Sequence, residues 1–164
     1  MKYAASYDNT VKAATLLVFA VMVFVSVNLM RHAPAADLTT RYIIVAALWI
    51  FMVVVYGFSI TRYEVTNDAL RIVRPFASKT IKLSNITHIQ ALPTEALGTL
   101  IRTFANGGLF GYYGQYKSST IGYFTFYGTQ RKNHILIETI APQRLVITPD
   151  DMALLDALKA GLKE

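Results

Sequence analysis

The sequence predicts a membrane-anchored α+β protein, mostly β in its C-terminal part: a two-helix transmembrane hairpin, then an antiparallel sheet of about seven strands capped by one C-terminal helix. Three observations predict it. Two long runs without an ionisable residue, Ala13 to Met30 and Tyr42 to Ile60, stand close together near the start of the chain. Past Thr61 the pattern switches abruptly from continuously apolar to alternating apolar and polar. Near the end, Thr148-Pro149-Asp150-Asp151 precedes Leu154, Leu155, Leu158 and Leu162, the pattern of a capped amphipathic helix.

A chain of 164 residues has room for one domain of ordinary size, about 100 to 150 residues, beside an accessory segment. Apolar residues make up 54% and charged residues only 16%, against a norm of about 25% charged, and the apolar excess sits mostly before residue 61. The absence of cysteine excludes a disulfide framework, a thiolate nucleophile and cysteine-based zinc or iron–sulfur sites. The formal charge of +6 is spread out, with +4 on residues 61–164 and +2 before them. A nucleic-acid binder of this size concentrates such charge on one face. The expected counterpart is therefore an anionic lipid surface, with no nucleic acid.

The first apolar run has 18 residues, which at 1.5 Å per residue reach roughly 27 Å, close to the hydrocarbon thickness of a bilayer. The second has 19, with Tyr42, Trp49 and Tyr56 inside it and Arg41 and Arg62 just outside its ends, where arginine snorkels to the head groups. Only Arg31 to Arg41 lie between the runs, so helices over about 11–30 and 42–60 form an antiparallel hairpin with both chain termini on one side. Two buried core helices would leave so short a chain almost no solvated face. A cleaved signal peptide would match Ala33-Pro34-Ala35, but the apolar run exceeds the usual length of about 7 to 15 residues. A retained anchor is the expectation. Lys2 and Lys12 before the hairpin and Arg62, Arg71, Arg74, Lys79 and Lys82 after it outnumber Arg31 and Arg41 in the loop, which points to cytoplasmic termini.

The second domain runs over 62–164. Tyr63 and Val65 alternate with Arg62, Glu64 and Thr66, and after Asn67-Asp68 the alternation resumes with Leu70 and Ile72, a tight hairpin. Further strands follow around Ile81, Leu83, Ile86 and Ile89. Over Thr94 to Asn106 the apolar residues Leu97, Leu100, Ile101 and Phe104 fall at helical spacing, which predicts a short amphipathic helix. Gly107 to Gly128 then packs six glycines and eight aromatic rings into one segment. Tyr123 to Tyr127, Ile135 to Ile140 and Arg144 to Ile147 read as an antiparallel meander with a turn at Ala141-Pro142-Gln143. Thr148 is the expected N-cap of a final helix over about 149–162.

YEVTNDALRI (Tyr63 to Ile72), GGLFGYYGQY (Gly107 to Tyr116), IGYFTFYGTQRKNHILIET (Ile121 to Thr139) and LVITPDD (Leu145 to Asp151) make the chain resemble the bacterial pleckstrin-homology (PH) domain family, in particular small membrane proteins with an N-terminal transmembrane hairpin. The resemblance implies a PH-like antiparallel barrel or sandwich. It also implies a non-enzymatic interaction or scaffold module, often self-assembling and sometimes beside partner membrane proteins, in the bacterial inner membrane. Phosphoinositide-binding relatives share a basic cluster in the first hairpin loop. Thr66-Asn67-Asp68 carries no cation, so phosphoinositide is not an expected ligand.

No residue pattern announces catalysis. Gly108, Gly111 and Gly114 lack the strand, helix and Gly-Lys-Ser/Thr context of a phosphate cradle. His32, His88 and His134 are far apart and without carboxylates at ligand spacing. Glu138 reads as an outward strand residue and Asp150-Asp151 as helix-capping. No catalytic residue, metal or cofactor is predicted. Phe110, Tyr112, Tyr113 and Tyr116 are candidate contacts for a second copy or a membrane protein partner, with core packing as the other fate of such rings. Arg62, Arg71, Arg74, Lys79 and Lys82 are candidate contacts for lipid head groups, with a solvated strand face as the alternative.

Overall fold

A computed structural model of the chain describes residues 1–32, 37–141 and 143–162. Ala33-Pro34-Ala35 and Pro142 lie outside them. The two apolar runs form α1 (Asn9–His32) and α2 (Leu38–Gly57), the second capped by Asp37, whose side chain accepts from the Thr40 amide at 2.8 Å. They pack antiparallel: Phe19 meets Trp49 edge-on at 5.4 Å, and the Trp49 indole donates to Ser26 Oγ at 3.3 Å. Away from that seam the apolar residues are bare, with Leu16 70% and Phe24 67% exposed. Both helices are long and apolar enough to cross a membrane.

The rest of the chain builds a two-sheet sandwich. One sheet runs β1 (Lys2–Ala4), β2 (Arg62–Val65), β3 (Ala69–Val73) and β4 (Lys79–Lys82), in that order. The other contains β5 (Ile86–Leu92), β6 (Leu100–Gly107), β7 (Tyr112–Ser118), β8 (Gly122–Gly128), β9 (His134–Thr139) and β10 (Arg144–Ile147), ordered β5-β9-β10-β8-β7-β6. Between the sheets the inward residues Tyr63, Leu70, Ile72 and Ile81 pack against Ile135, Ile137, Leu145 and Ile147. The helix α3 (Ala153–Gly161) adds Leu154 and Leu158 to this core. A second core lies on the other face of the larger sheet, where Tyr112, Tyr116, Phe124, Phe126, Leu136 and Val146 are covered by Leu92, Leu97 and Val11 from the base of α1. The central strands are therefore buried on both faces.

The predicted class holds: an apolar hairpin, a PH-like sandwich and a C-terminal helix. Four details differ from the sequence-based expectation. The described residues form ten strands instead of about seven, and the sheets do not close into a barrel. The unforeseen β1 is three residues long, too short for any periodicity to show. The meander is broken, because β10 inserts between β9 and β8 and runs parallel to β8, with Leu145 opposite Thr125. Strand alternation reports which face a residue takes but not which strand lies beside it.

The third difference is Thr94 to Asn106, which is one 3-10 turn, Thr94–Leu97, followed by strand β6. Gly98 stops the turn at φ 56°, and only Leu97 of the helical-looking stripe is buried. Fourth, Thr148 caps nothing: it is fully buried and its hydroxyl accepts from the Thr129 amide at 3.0 Å. The helix starts later, where Asp151 Oδ1 accepts from Ala153 N at 2.8 Å.

Candidate functional site

Both ends of the hairpin are tied into the same end of the sandwich. β1 pairs with β2, Tyr3 opposite Tyr63, so the residues before α1 return to the strand that follows α2. Asp150 holds the linker by accepting from Ser6 N at 2.9 Å and Ser6 Oγ at 2.6 Å. Asp8 accepts from Val11 N at 2.7 Å, capping α1, and from the Tyr112 hydroxyl at 3.2 Å.

The glycine-aromatic stretch supplies the other half of this junction. At the β6–β7 turn Asn106 Oδ1 accepts from Leu109 N at 3.2 Å, its side-chain amide donates back to Leu109 O, and Gly108 N donates to Gly111 O at 3.0 Å. So tight a turn needs positive φ at Gly108 (138°) and Gly111 (126°), and it forces Phe110 there too at 56°. The tip then grips both helices. Phe110 N donates to Thr15 Oγ1 at 3.1 Å, the Phe110 ring meets Tyr56 edge-on at 5.4 Å, and Tyr113 Oη donates to Val55 O at 2.9 Å.

The four candidate rings therefore divide. Phe110 and Tyr113, half-buried, clasp the hairpin. Tyr112 and Tyr116, each 4% exposed, are core residues, and Tyr116 stacks on Phe124 at 5.9 Å. Burial pushes the Tyr116 phenol up to about 12, and burial followed by the Asp8 charge raises that of Tyr112.

The candidate cations divide as well. Register puts Arg62 opposite Val73 and Lys79 opposite Ile72, beside the hairpin, and Arg74 follows directly. Arg71, opposite Glu64, and Lys82, opposite Ala69, lie two and four residues further along, about 7 and 13 Å at roughly 3.3 Å per residue. Arg62 pairs with Glu64 at 2.8 Å and, with Lys2 and Arg71, holds that carboxyl below its ordinary range. Lys2 was not among the expected contacts; it arrives through β1. Arg74 stands 5.8 Å from the Phe58 and Tyr127 rings and donates through Nε to Ala77 O at 2.7 Å. Phe76, 60% exposed, is fastened to the end of α2 by its amide, which donates to Gly57 O.

A further feature escaped sequence reasoning because its residues mimic a helix. β6 is an edge strand that carries Leu100, Ile101 and Phe104 at 40%, 57% and 84% exposure. A groove of about 710 Å³ joins Phe104 and Tyr113 to Phe51, Val55 and Phe58 of the α2 end, so the bare apolar surface of the hairpin continues onto the head. Among the described residues no three histidine, cysteine or acidic side chains come together as a metal would require. What the arrangement offers is contact surface.

A family model described as Bacterial PH domain matches residues 61–161. No curated protein and no solved structure matches the chain. The matched segment is the sandwich with its closing helix, more than half of the sequence, and the chain belongs to the bacterial PH domain family.

Proposed function

We propose that the chain is a non-enzymatic integral membrane protein of the bacterial inner membrane, with both termini cytoplasmic, whose PH-like head is a protein-interaction and self-assembly scaffold. PH domains are generally non-enzymatic. The observation that carries the reading is β6. A long edge strand offers a row of backbone donors and acceptors that a second chain can pair with, and natural proteins blunt such edges with charge or proline. This one, beside a single cation, Arg102, and a register shift at Thr103, carries exposed Ile101 and Phe104. The clasp between hairpin and head holds the edge at a fixed height beside the bilayer, so the partner is another copy of the chain or a membrane protein.

The chain has no cysteine, so a single one introduced at Thr103 reports on β6 alone. Oxidation in native membranes is expected to give a cross-linked dimer, or a cross-link to one membrane partner, and Phe104→Asp is expected to abolish it. Monomers only, with no co-purifying protein after gentle detergent extraction, would refute the scaffold.

A second reading is anionic-lipid sensing at the inner leaflet. It is favoured by the grouping of Arg62, Arg74 and Lys79 with exposed Phe76 at the hairpin end, each cation contributing on the order of 1 kcal/mol near a charged surface. Phosphoinositide selectivity is not part of it. Nanodiscs containing phosphatidylglycerol should raise the thermal midpoint of the head over phosphatidylcholine ones, and Arg62→Gln/Arg74→Gln or high salt should remove the difference. Equal midpoints in both lipids would end this reading.

A further inference from the structure

The outer face of the larger sheet holds a cavity distinct from the groove beside α2. Its volume is about 310 Å³, at the lower end of the size range of ligand pockets. Tyr112, Tyr116, Phe126 and His134 form an aromatic floor, while Arg102 from β6 and Arg131 from the β8–β9 turn stand at the rim. The β5–β6 connection, with Thr94 and Leu97, supplies a wall.

Two independent observations mark this cavity as a site. The charged side chains lining it are both cations, and the ion pairs found among the described residues, Arg62–Glu64 and Arg144–Glu138, involve neither. Arg131 lies over the Tyr112 ring at 5.2 Å. Both guanidinium groups are near enough to Tyr116 to oppose the rise that burial imposes on its phenol. Arg131 also reaches the Tyr112 hydroxyl, which donates to Asp8, and an oxyanion between the two guanidinium groups would give both a direct counter-charge. The second observation is His134, which is 3% exposed and stacked on Phe126 at 5.9 Å, and whose Nδ1 has no hydrogen-bond partner within the chain. That nitrogen is closed off from the cavity, so the ring lines the floor through its face and edge and reports on what lies above it.

The geometry points to a binding site for a small organic anion, its carboxylate or phosphate held between Arg102 and Arg131 and its flat apolar body laid on Tyr112, Tyr116 and Phe126. Guanidinium forks match both oxyanions in bidentate fashion. Burial holds the His134 imidazole below its ordinary pKa, so it is neutral at pH 7 and keeps one N–H to give. The site lies on the opposite face of the sheet from the groove beside α2, although it shares strand β6 with the scaffold reading through Leu100 and Arg102.

The test uses the full chain in neutral detergent micelles, carbon-13 labelled at histidine, at low salt. Benzoate, phenyl phosphate, inorganic phosphate and benzyl alcohol are titrated in turn while the His134 ring resonances, identified by their loss in His134→Gln, are followed. Benzoate or phenyl phosphate is expected to shift them saturably, with inorganic phosphate and benzyl alcohol at least tenfold weaker. Arg102→Gln/Arg131→Gln should weaken binding at least tenfold, while Lys117→Gln, which removes a cation from the Tyr123 side, leaves it unchanged. Both arginines are exposed, and unshifted His134 resonances in the unliganded double variant verify that it folds. The proposal is overturned by the absence of a saturable shift with either aromatic anion. It is equally overturned by equal binding of inorganic phosphate or benzyl alcohol, or by full binding in the double variant.

Discussion

Deleting one oxygen atom, in Tyr63→Phe, tests how the two sheets are held together. Tyr63 is fully buried in β2, and its hydroxyl donates to Tyr127 O at 2.6 Å and accepts from Thr148 N at 3.2 Å. One phenol thus joins the smaller sheet to the ends of β8 and β10, and the desolvation this requires raises its pKa. The variant leaves the Thr148 amide buried without a partner and takes one donor from the Tyr127 carbonyl. An orphaned buried backbone group costs about 1 to 3 kcal/mol, so the expected loss is about 2 to 3 kcal/mol. In a domain of about 100 residues each kcal/mol moves the midpoint by roughly 4 to 8 °C, which predicts a fall of roughly 8 to 24 °C. The assay is thermal and urea unfolding of the full chain in micelles, followed by near-ultraviolet circular dichroism. Tyr123→Phe, at a ring 65% exposed, is the control and should change stability by under about 0.5 kcal/mol. A Tyr63→Phe loss no larger than the control would refute the bridging role.

Three other outcomes follow from the geometry. Gly114→Ala puts a Cβ 2.5 Å from Phe104 O at φ 115°, with backbone on the facing strand, so it should cost about 3 kcal/mol or more and disturb the β6 edge, read by the same unfolding assay and by amide exchange in β6. His134, whose pKa burial depresses, contributes stability above the unfolded value near 6.5 that is lost as pH falls through its lower folded value. Head stability should accordingly drop as pH falls below about 6.5, and His134→Gln should flatten that dependence. Asp150→Ala removes both bonds to Ser6 and should raise amide exchange in residues 2–8 about tenfold, corresponding to about 1.4 kcal/mol, with the global midpoint little changed.

Much of the architecture is legible in one dimension because its causes are local. Eighteen uncharged residues in a row are long and apolar enough for a helix that could cross a membrane, and both runs became helices. Asn67-Asp68 between two alternating runs specifies a hairpin, and Thr66 N duly donates to Ala69 O at 2.9 Å. The glycines around Phe110 announce sharp turns, and the backbone there is left-handed at four positions from 108 to 114.

Neighbourhood is the part that local pattern does not carry. Leu97, Leu100, Ile101 and Phe104 have the spacing of a helix face, yet the pairing of β6 with β7, from Leu100 opposite Ser118 to Gly107 opposite Tyr112, overrides it and leaves three of the four exposed. Thr148 has the chemistry of a cap, but the register of β8 and β10 brings its hydroxyl to Thr129 instead. Arg102, Arg131 and His134 look unrelated along the chain and share one cavity only because strand order sets β6 and the β8–β9 turn around it. The composition of each segment is enough to say that there is a hairpin, a sheet and a closing helix, since hydrophobic periodicity is a property of near neighbours. Which aromatic rings clasp the hairpin, which form the core and which cations converge depends on contacts between residues far apart along the chain, as with Asp8 and Tyr112, and those exist only once the sheets have paired.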